Sequence, residues 1–247
     1  MTEKTLQYIE FLELNGLDNV AVARRFVESS GFSFTSELES IKEWLLREAD
    51  ANNREAQHAL ATFYFMGIFG YKSKELAYKF CRQSAESRFG PAVHLLSSFE
   101  EAGSNDKATN QSESIRLRRE AVELGYGPAA RSLALDYLAG KFVPFDAEQG
   151  RFYLEKGVEL GDVESVFQLS LLLDTSDIDS DKRRSNDLLE RAAALNNPSA
   201  MRKLAQLYAS GGGGYVQNKK RADELSRQAD LIEIPYRYDI DFPVTLS

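Results

Sequence analysis

The sequence repeats with a period of about 36 residues, and this repeat constrains the fold more than any other feature. Steps of this length from Ala49 reach four further alanines and one glycine, namely Ala85, Ala121, Gly157, Ala193 and Ala229. A fixed period of this length is typical of solenoids, in which each repeat packs only against its neighbours. The sequence therefore predicts a stack of similar repeats rather than a single globular core.

A second set of positions follows the same period and indicates that the repeats are helical. In five places a small residue is followed by a leucine four positions later, and another small residue follows that leucine. The five pairs are Ala56 and Leu60, Ala92 and Leu96, Ala129 and Leu133, Ser165 and Leu169, and Ala200 and Leu204. Spacings of three and four place side chains on one face of an α-helix, and small residues let two helices approach closely. We therefore expect each repeat to be a pair of packed helices, A and B.

Turn-forming residues fall at the predicted ends of these helices. Between helix A and helix B they are Gly67 and Gly70, Gly103 to Asp106, Gly140 with Pro144, and Gly211 to Gly214. Between one pair and the next they are Gly90-Pro91, Gly127-Pro128, Gly161-Asp162 and Asn197-Pro198. Glycine or asparagine at the end of one helix and proline at the start of the following one is the expected asymmetry. In the fourth repeat Asp174 to Asp181 carries four aspartates and no glycine, which predicts a solvated loop.

Together these motifs resemble the Sel1-like repeat, a relative of the tetratricopeptide repeat. The resemblance rests on Ala56-Gln57-x-x-Leu60-Ala61-x-x-Tyr64, on Gly140-x-x-Val143-x-x-Asp146 and on Glu120-Ala121-x-x-Leu124-Gly125, and it spans about Ser36 to Asp230. The pattern is not kept everywhere. The tyrosine position is occupied by Glu100 and by Leu173 in two repeats, and Gly157 replaces one of the alanines. The resemblance implies an all-α superhelix of about five helix pairs that acts in protein–protein interaction, often in bacteria.

The two ends of the chain do not follow the repeat. Residues 1–35 are predicted to form an N-terminal helical cap, residues 36–230 the solenoid, and residues 231–247 an extended C-terminal tail. The tail carries two prolines and alternating aromatic and polar residues, a pattern that disfavours a helix. We expect Tyr236, Tyr238 and Phe242 to cover the apolar surface of the last helix pair.

The inventory of chemically reactive groups is small. The only cysteine, Cys81, falls on a predicted core row, so we expect a buried and unreactive thiol and no intramolecular disulfide. His58 and His94 occupy equivalent positions in consecutive repeats, about 8–10 Å apart, which is too far to share one metal ion. We therefore predict no catalytic residues, no metal site and no cofactor. A hydrolase with its active site in the groove is the alternative from another class.

Charge and hydropathy narrow the range of partners. The formal net charge of −8 argues against general nucleic-acid binding. Neither a membrane-spanning stretch nor a signal-peptide pattern is evident, so we expect a cytoplasmic protein that does not bind membranes. The oligomeric state stays open.

The predicted binding surface is the concave side of the solenoid, which the A helices line in the related tetratricopeptide fold. Two rows of side chains would face it: His58, His94, Arg131, Phe167 and Arg202, and then Thr62, Ser98, Leu135, Leu171 and Gln206. The first row contains no acidic residue, which predicts a mildly basic stripe with Phe167 and Leu171 as an apolar anchor. The favoured function is a non-enzymatic scaffold or adaptor for a protein partner. The alternative is a cytoplasmic inhibitor of a bacterial toxin or effector.

Overall fold

The computed structural model describes residues 34–103 and 110–237, and all of the regular structure in these ranges is α-helical. The helices are α1 (Phe34–Asp50), α2 (Arg54–Met66), α3 (Lys74–Glu86), α4 (Gly90–Ala102), α5 (Gln111–Glu123), α6 (Gly127–Ala139), α7 (Ala147–Glu159), α8 (Val163–Asp174), α9 (Asp179–Ala194), α10 (Pro198–Ser210) and α11 (Lys219–Arg237). The predicted all-α solenoid of helix pairs is confirmed. The chain divides into two compact modules, an N-terminal one up to Leu124 and a C-terminal one from Gly125 onward.

In the N-terminal module, the described residues form one leading helix and two pairs. Helix α1 packs against α2, α2 pairs with α3, and α4 pairs with α5, while α3 also packs against α4. The core combines the small and leucine positions of the repeat with aromatic residues, so that Leu60, Phe63 and Cys81 are almost fully buried. Stacked aromatic rings of Tyr64 and Phe80, with centroids 5.9 Å apart, join the first A helix to its B helix. Tyr64 belongs to the repeat motif that predicts paired helices, so a residue of that motif also makes the contact between the two helices.

Residues 125–237 of the C-terminal module form three pairs, α6 with α7, α8 with α9, and α10 with α11. Consecutive pairs are joined because α7 packs on α8 and α9 on α10, and the A helices α6 and α8 also touch each other. Leu154, Leu169 and Ala229 lie in the core with essentially no exposed surface. The two helices of each pair therefore pack against each other, and each consecutive pair packs on the one before it, as a repeat array requires.

Caps at both ends explain why the A helices have nearly the same length. Asn53, Asp162 and Asn197 each precede an A helix, and the side-chain oxygen of each accepts a hydrogen bond from a backbone N–H three residues later. Gly67 ends α2 with φ 80 and Gly140 ends α6 with φ 62, both in the left-handed region that glycine adopts without strain. These caps satisfy backbone groups that the helix itself leaves without partners.

The structure corrects two predictions about irregular segments. The extended conformation predicted for the tail from residue 231 is wrong for residues 231–237, because α11 continues to Arg237. Pro235 lies in the last turn, where one missing backbone donor disturbs only the end of the helix. The loop predicted from Asp174 to Asp181 is shorter, since α9 already begins at Asp179. The predicted N-terminal cap, residues 1–33 in particular, and residues 238–247 lie outside the described residues.

Candidate functional site

The first predicted row of the binding surface occupies the fifth position of each A helix. His58 and Phe167 are buried, with only 5% and 8% of their surfaces exposed. His94, Arg131 and Arg202 are half-buried. Phe167 belongs to the core of the C-terminal module, so most of its ring is already covered by the protein itself.

Two members of this row contact the start of the next A helix. The ring of His58 meets Phe89, which precedes α4, edge to face at a centroid distance of 5.6 Å. The Nε of Arg131 donates a hydrogen bond of 2.9 Å to Asp162, which caps α8. Since both contacts join consecutive helix pairs, part of the first row stabilises the stack.

The basic charge of the first row is largely offset by acidic partners. Asp162 pairs with Arg131, and Asp230 on α11 pairs with Arg202 at 3.0 Å. Both acids lie about 30 residues after the arginines that they meet, and the sequence pattern gives no sign of this pairing. The surface is therefore less basic than its row of arginine and histidine residues suggests.

The second predicted row occupies the ninth position of each A helix and is more accessible. Thr62 is the buried exception, because its Oγ1 donates a hydrogen bond of 3.1 Å to the carbonyl oxygen of His58. Ser98, Leu135 and Gln206 are exposed, and Leu171 is half-buried. Leu135 leaves 42% of its surface exposed. In the C-terminal module, Leu135 and Leu171 hold the same position on α6 and α8, two A helices that touch.

A cleft between α9, α10 and α11 was not predicted from the sequence. It encloses about 690 Å³ and is lined by both charged and apolar side chains. These are Asp187, Glu190, Arg191, Ala193, Ala194, Asn196, Met201, Leu204, Tyr208, Arg221, Leu225 and Gln228. The residues come from three helices and belong to no single row of the repeat, so no spacing in the sequence groups them.

An aromatic pair lies beside this cleft. The rings of Tyr208 and Tyr215 meet edge to face at a centroid distance of 5.0 Å. Burial raises the pKa of the Tyr215 hydroxyl, and the nearby carboxylate of Glu190 raises it further. Tyr215 therefore stays neutral at ordinary pH, and its side chain packs against the core of the C-terminal module.

Ion pairs connect the B helices α7 and α9. Arg151 contacts Asp181 at 3.3 Å, and both nitrogens at the tip of Arg184 donate to Glu155, at 2.9 and 3.1 Å. The hydrogen bond from Arg184 is the main cause of a lowered pKa of Glu155. A lowered pKa keeps this carboxylate charged, whereas a general acid needs a raised pKa.

The candidate catalytic and metal-binding groups give no convergent site in the described ranges. The predicted burial of Cys81 is confirmed, because its side chain is fully covered and its thiol donates to the carbonyl oxygen of Ala92 at 3.3 Å. Burial also raises the pKa of this thiol, which makes it a poor nucleophile. No group of three or more potential metal ligands occurs among the described residues.

A comparison with known families identifies the repeat. The Sel1 repeat model matches residues 54–88, 127–162, 163–197 and 198–229. The chain belongs to the Sel1 repeat family. The matched segments coincide with the pairs α2/α3, α6/α7, α8/α9 and α10/α11. The unmatched pair α4/α5 is the one that carries Glu100 at the tyrosine position and a longer turn.

Two solved structures show the same Sel1 repeat fold. The Sel1 repeat protein from Oxalobacter formigenes superposes with a TM-score of 0.69 at 22% identity, over 93% of this chain and 97% of that one. The c5321 protective antigen of uropathogenic Escherichia coli, which displays an SLR fold, gives a TM-score of 0.62 at 20% identity over 92% of this chain. This chain spans 48% of the length of c5321. At these identities the similarity establishes the fold alone.

A sequence search of the curated proteins finds no significant match. In the part of the chain that the structure describes, none of the helices combines the length and the apolar character needed to cross a bilayer.

Proposed function

We propose that this Sel1 repeat protein is a non-enzymatic scaffold that binds a protein segment on the A-helix surface of its C-terminal module. Sel1 repeat proteins generally mediate protein–protein interaction, which supports the class of function. The observation that supports this surface is that the exposed Leu135 and the half-buried Leu171 hold the same position on two helices that touch. Large apolar side chains at neighbouring repeat positions are suited to anchoring a partner.

The side chains around these leucines define the chemistry of the partner. Gln206 is exposed at the equivalent position of α10 and provides both a hydrogen-bond donor and an acceptor. Arg131 and Arg202 are partly accessible, but each already contacts an aspartate. An amphipathic segment fits this surface best, with apolar residues on Leu135 and Leu171. Acidic groups of the partner would compete with Asp162 and Asp230 for the two guanidinium groups.

Site-specific crosslinking in the native cell tests this proposal. A photoreactive amino acid is placed at Leu135 and, in a second variant, at Gln206. Phe152 on α7 provides the matched control, because it is an exposed large apolar residue on a B helix, with 58% of its surface accessible. We expect the same protein to be crosslinked from Leu135 and from Gln206 and not from Phe152. Equal crosslinking from all three positions, or from Phe152 alone, contradicts the proposed surface.

A further inference from the structure

Two turns of the C-terminal module, one after α8 and one after α10, each expose a large aliphatic side chain. Ile178 directly precedes α9 and has 60% of its surface exposed, and Val216 in the turn before α11 has 84%. Neither side chain lies in the hydrophobic core of the module. Single exposed apolar residues are common on protein surfaces, so the significance of these two depends on the groups around them.

The charges around the two aliphatic side chains have opposite signs. From Thr175 to Asp181, here called the acidic segment, every charged residue is an aspartate. From Gly211 to Arg221, the basic segment, every charged residue is a lysine or an arginine. The opposite sign first appears at Lys182, the fourth residue of α9, and at Asp223, the fifth residue of α11. Each segment therefore presents an aliphatic side chain beside charges of a single sign.

Most of these charges lack an opposite charge within the chain. Asp181 pairs with a residue of α7, and Arg221 pairs within α11. The remaining four are exposed and take part in none of the ion pairs among the described residues, namely Asp177, Asp179, Lys219 and Lys220. The two lysines also occupy the first turn of α11, where the helix dipole disfavours a cation. Acidic groups from outside the chain would offset that effect.

The two segments are neighbours in the same module. The Nδ2 of Asn186 on α9 donates a hydrogen bond of 2.9 Å to the carbonyl oxygen of Gly213 in the basic segment. Asn186 follows Asp179 by seven residues, which is about 10 Å along α9. The start of α9, with its aspartates, thus lies beside the turn that leads into the lysines of α11.

We propose that the C-terminal module pairs with a second copy of itself through the acidic and basic segments. A two-fold axis between the neighbouring segments brings the acidic segment of each protomer opposite the basic segment of the other, so the same contact forms twice. Ile178 then packs near the partner's Val216, and aspartates meet lysines. One chain supplies both signs of charge, and this complementarity favours a second copy over an unrelated partner. None of these residues belongs to the A-helix surface of the proposed function, so either proposal can fail without the other.

Reciprocal charge reversal in the full-length protein tests the pairing, with sedimentation velocity at low ionic strength as the measurement. One variant is Lys219→Glu/Lys220→Glu and the other is Asp177→Lys/Asp179→Lys. We expect the native chain to dimerise and each variant alone to raise the Kd of the dimer about tenfold or more, because repulsion replaces attraction. An equimolar mixture of the two variants should dimerise as the native chain does, since each segment then faces the opposite sign.

A matched control separates the pairing from a general effect of net charge. Lys72→Glu/Lys74→Glu makes the same change of charge at two exposed lysines at the start of α3, and it should leave dimerisation unchanged. Recovery of the dimer in the mixture also shows that both reversed variants are folded. The proposal is overturned if the native chain stays monomeric, if the control weakens the dimer as much as the segment variants do, or if the mixture does not recover dimerisation.

Discussion

Gly157→Ala tests the close contact between consecutive helix pairs. A Cβ atom at Gly157 would lie 2.1 Å from the Oγ and 2.7 Å from the Cβ of Ser165, which is completely buried. The Oγ of Ser165 also donates a hydrogen bond of 2.6 Å to Asp162. At the equivalent positions of other repeats, both residues are alanine, as in Ala193 and Ala200. The glycine therefore makes room for the larger serine.

The expected loss of stability follows from three contributions. Overpacking in a closely packed core costs about 1–3 kcal/mol, and the upper end applies because the Cβ of Ser165 is fixed to the backbone. Rotation of the hydroxyl away from Asp162 costs about 1 kcal/mol. Against these losses, alanine stabilises a helix by about 1 kcal/mol more than glycine does. Gly157→Ala should thus lower the free energy of unfolding by about 2–3 kcal/mol.

Urea denaturation followed by circular dichroism measures this loss. The matched variants are Ser165→Ala and the double variant Gly157→Ala/Ser165→Ala, which complete a double-mutant cycle. The double variant removes the 2.1 Å contact with the Oγ atom and keeps the 2.7 Å contact with the Cβ atom. We therefore expect the cycle to give a coupling energy of about 1 kcal/mol. A Gly157→Ala protein as stable as the native one, or a cycle without coupling, refutes this explanation.

Three further predictions concern the caps, the ion pairs and the thiol. Asp162→Ala removes the cap of α8 and the contact with Arg131. In urea denaturation it should lower the free energy of unfolding by about 1–2 kcal/mol. An unchanged midpoint would mean that the cap is not formed. The pKa of Glu155 is lower in the folded protein than in the unfolded chain, so this carboxylate stabilises the fold at pH values above its unfolded-state pKa. That stabilisation is lost as the pH falls through the folded-state pKa. Arg184→Ala should therefore reduce the free energy of unfolding by roughly 0.5 kcal/mol at pH 7 and have little effect below about pH 3. An equal effect at both pH values would contradict the ion pair between Arg184 and Glu155. Cys81 should react with a thiol reagent only after denaturant is added, and fast labelling of the native protein would contradict its burial.

The helix pairs were predictable because their signals are local. Glycines such as Gly67 and capping residues such as Asn53 mark the helix ends within a few residues of sequence. The small and leucine positions mark the buried faces, and Leu60 and Ala129 are indeed fully buried. The continuation of α11 past Pro235 was not predictable in this way, because proline disfavours helix locally and a helix usually ends before it.

The binding surface was harder to predict because its properties depend on contacts between repeats. The fifth-position row looks basic along the sequence, yet Arg131 meets Asp162 from the next pair. Phe167 is interpreted as an anchor from its position alone, and only the packing shows that the core covers most of its ring. The cleft depends on the spacing of three helices, which no local pattern encodes.

The most direct test of partner binding on the A-helix surface is the affinity of the crosslinked partner for the Leu135→Asp variant. Leu135 is exposed, so its substitution leaves the core intact, and Phe152→Asp provides a control of the same kind on a B helix. Loss of about 1.5–3 kcal/mol from one buried leucine corresponds to about 10- to 150-fold weaker binding. Isothermal titration calorimetry should therefore show this weakening for Leu135→Asp and native affinity for Phe152→Asp. Native affinity for Leu135→Asp, or equal weakening by both variants, would contradict the proposed binding surface.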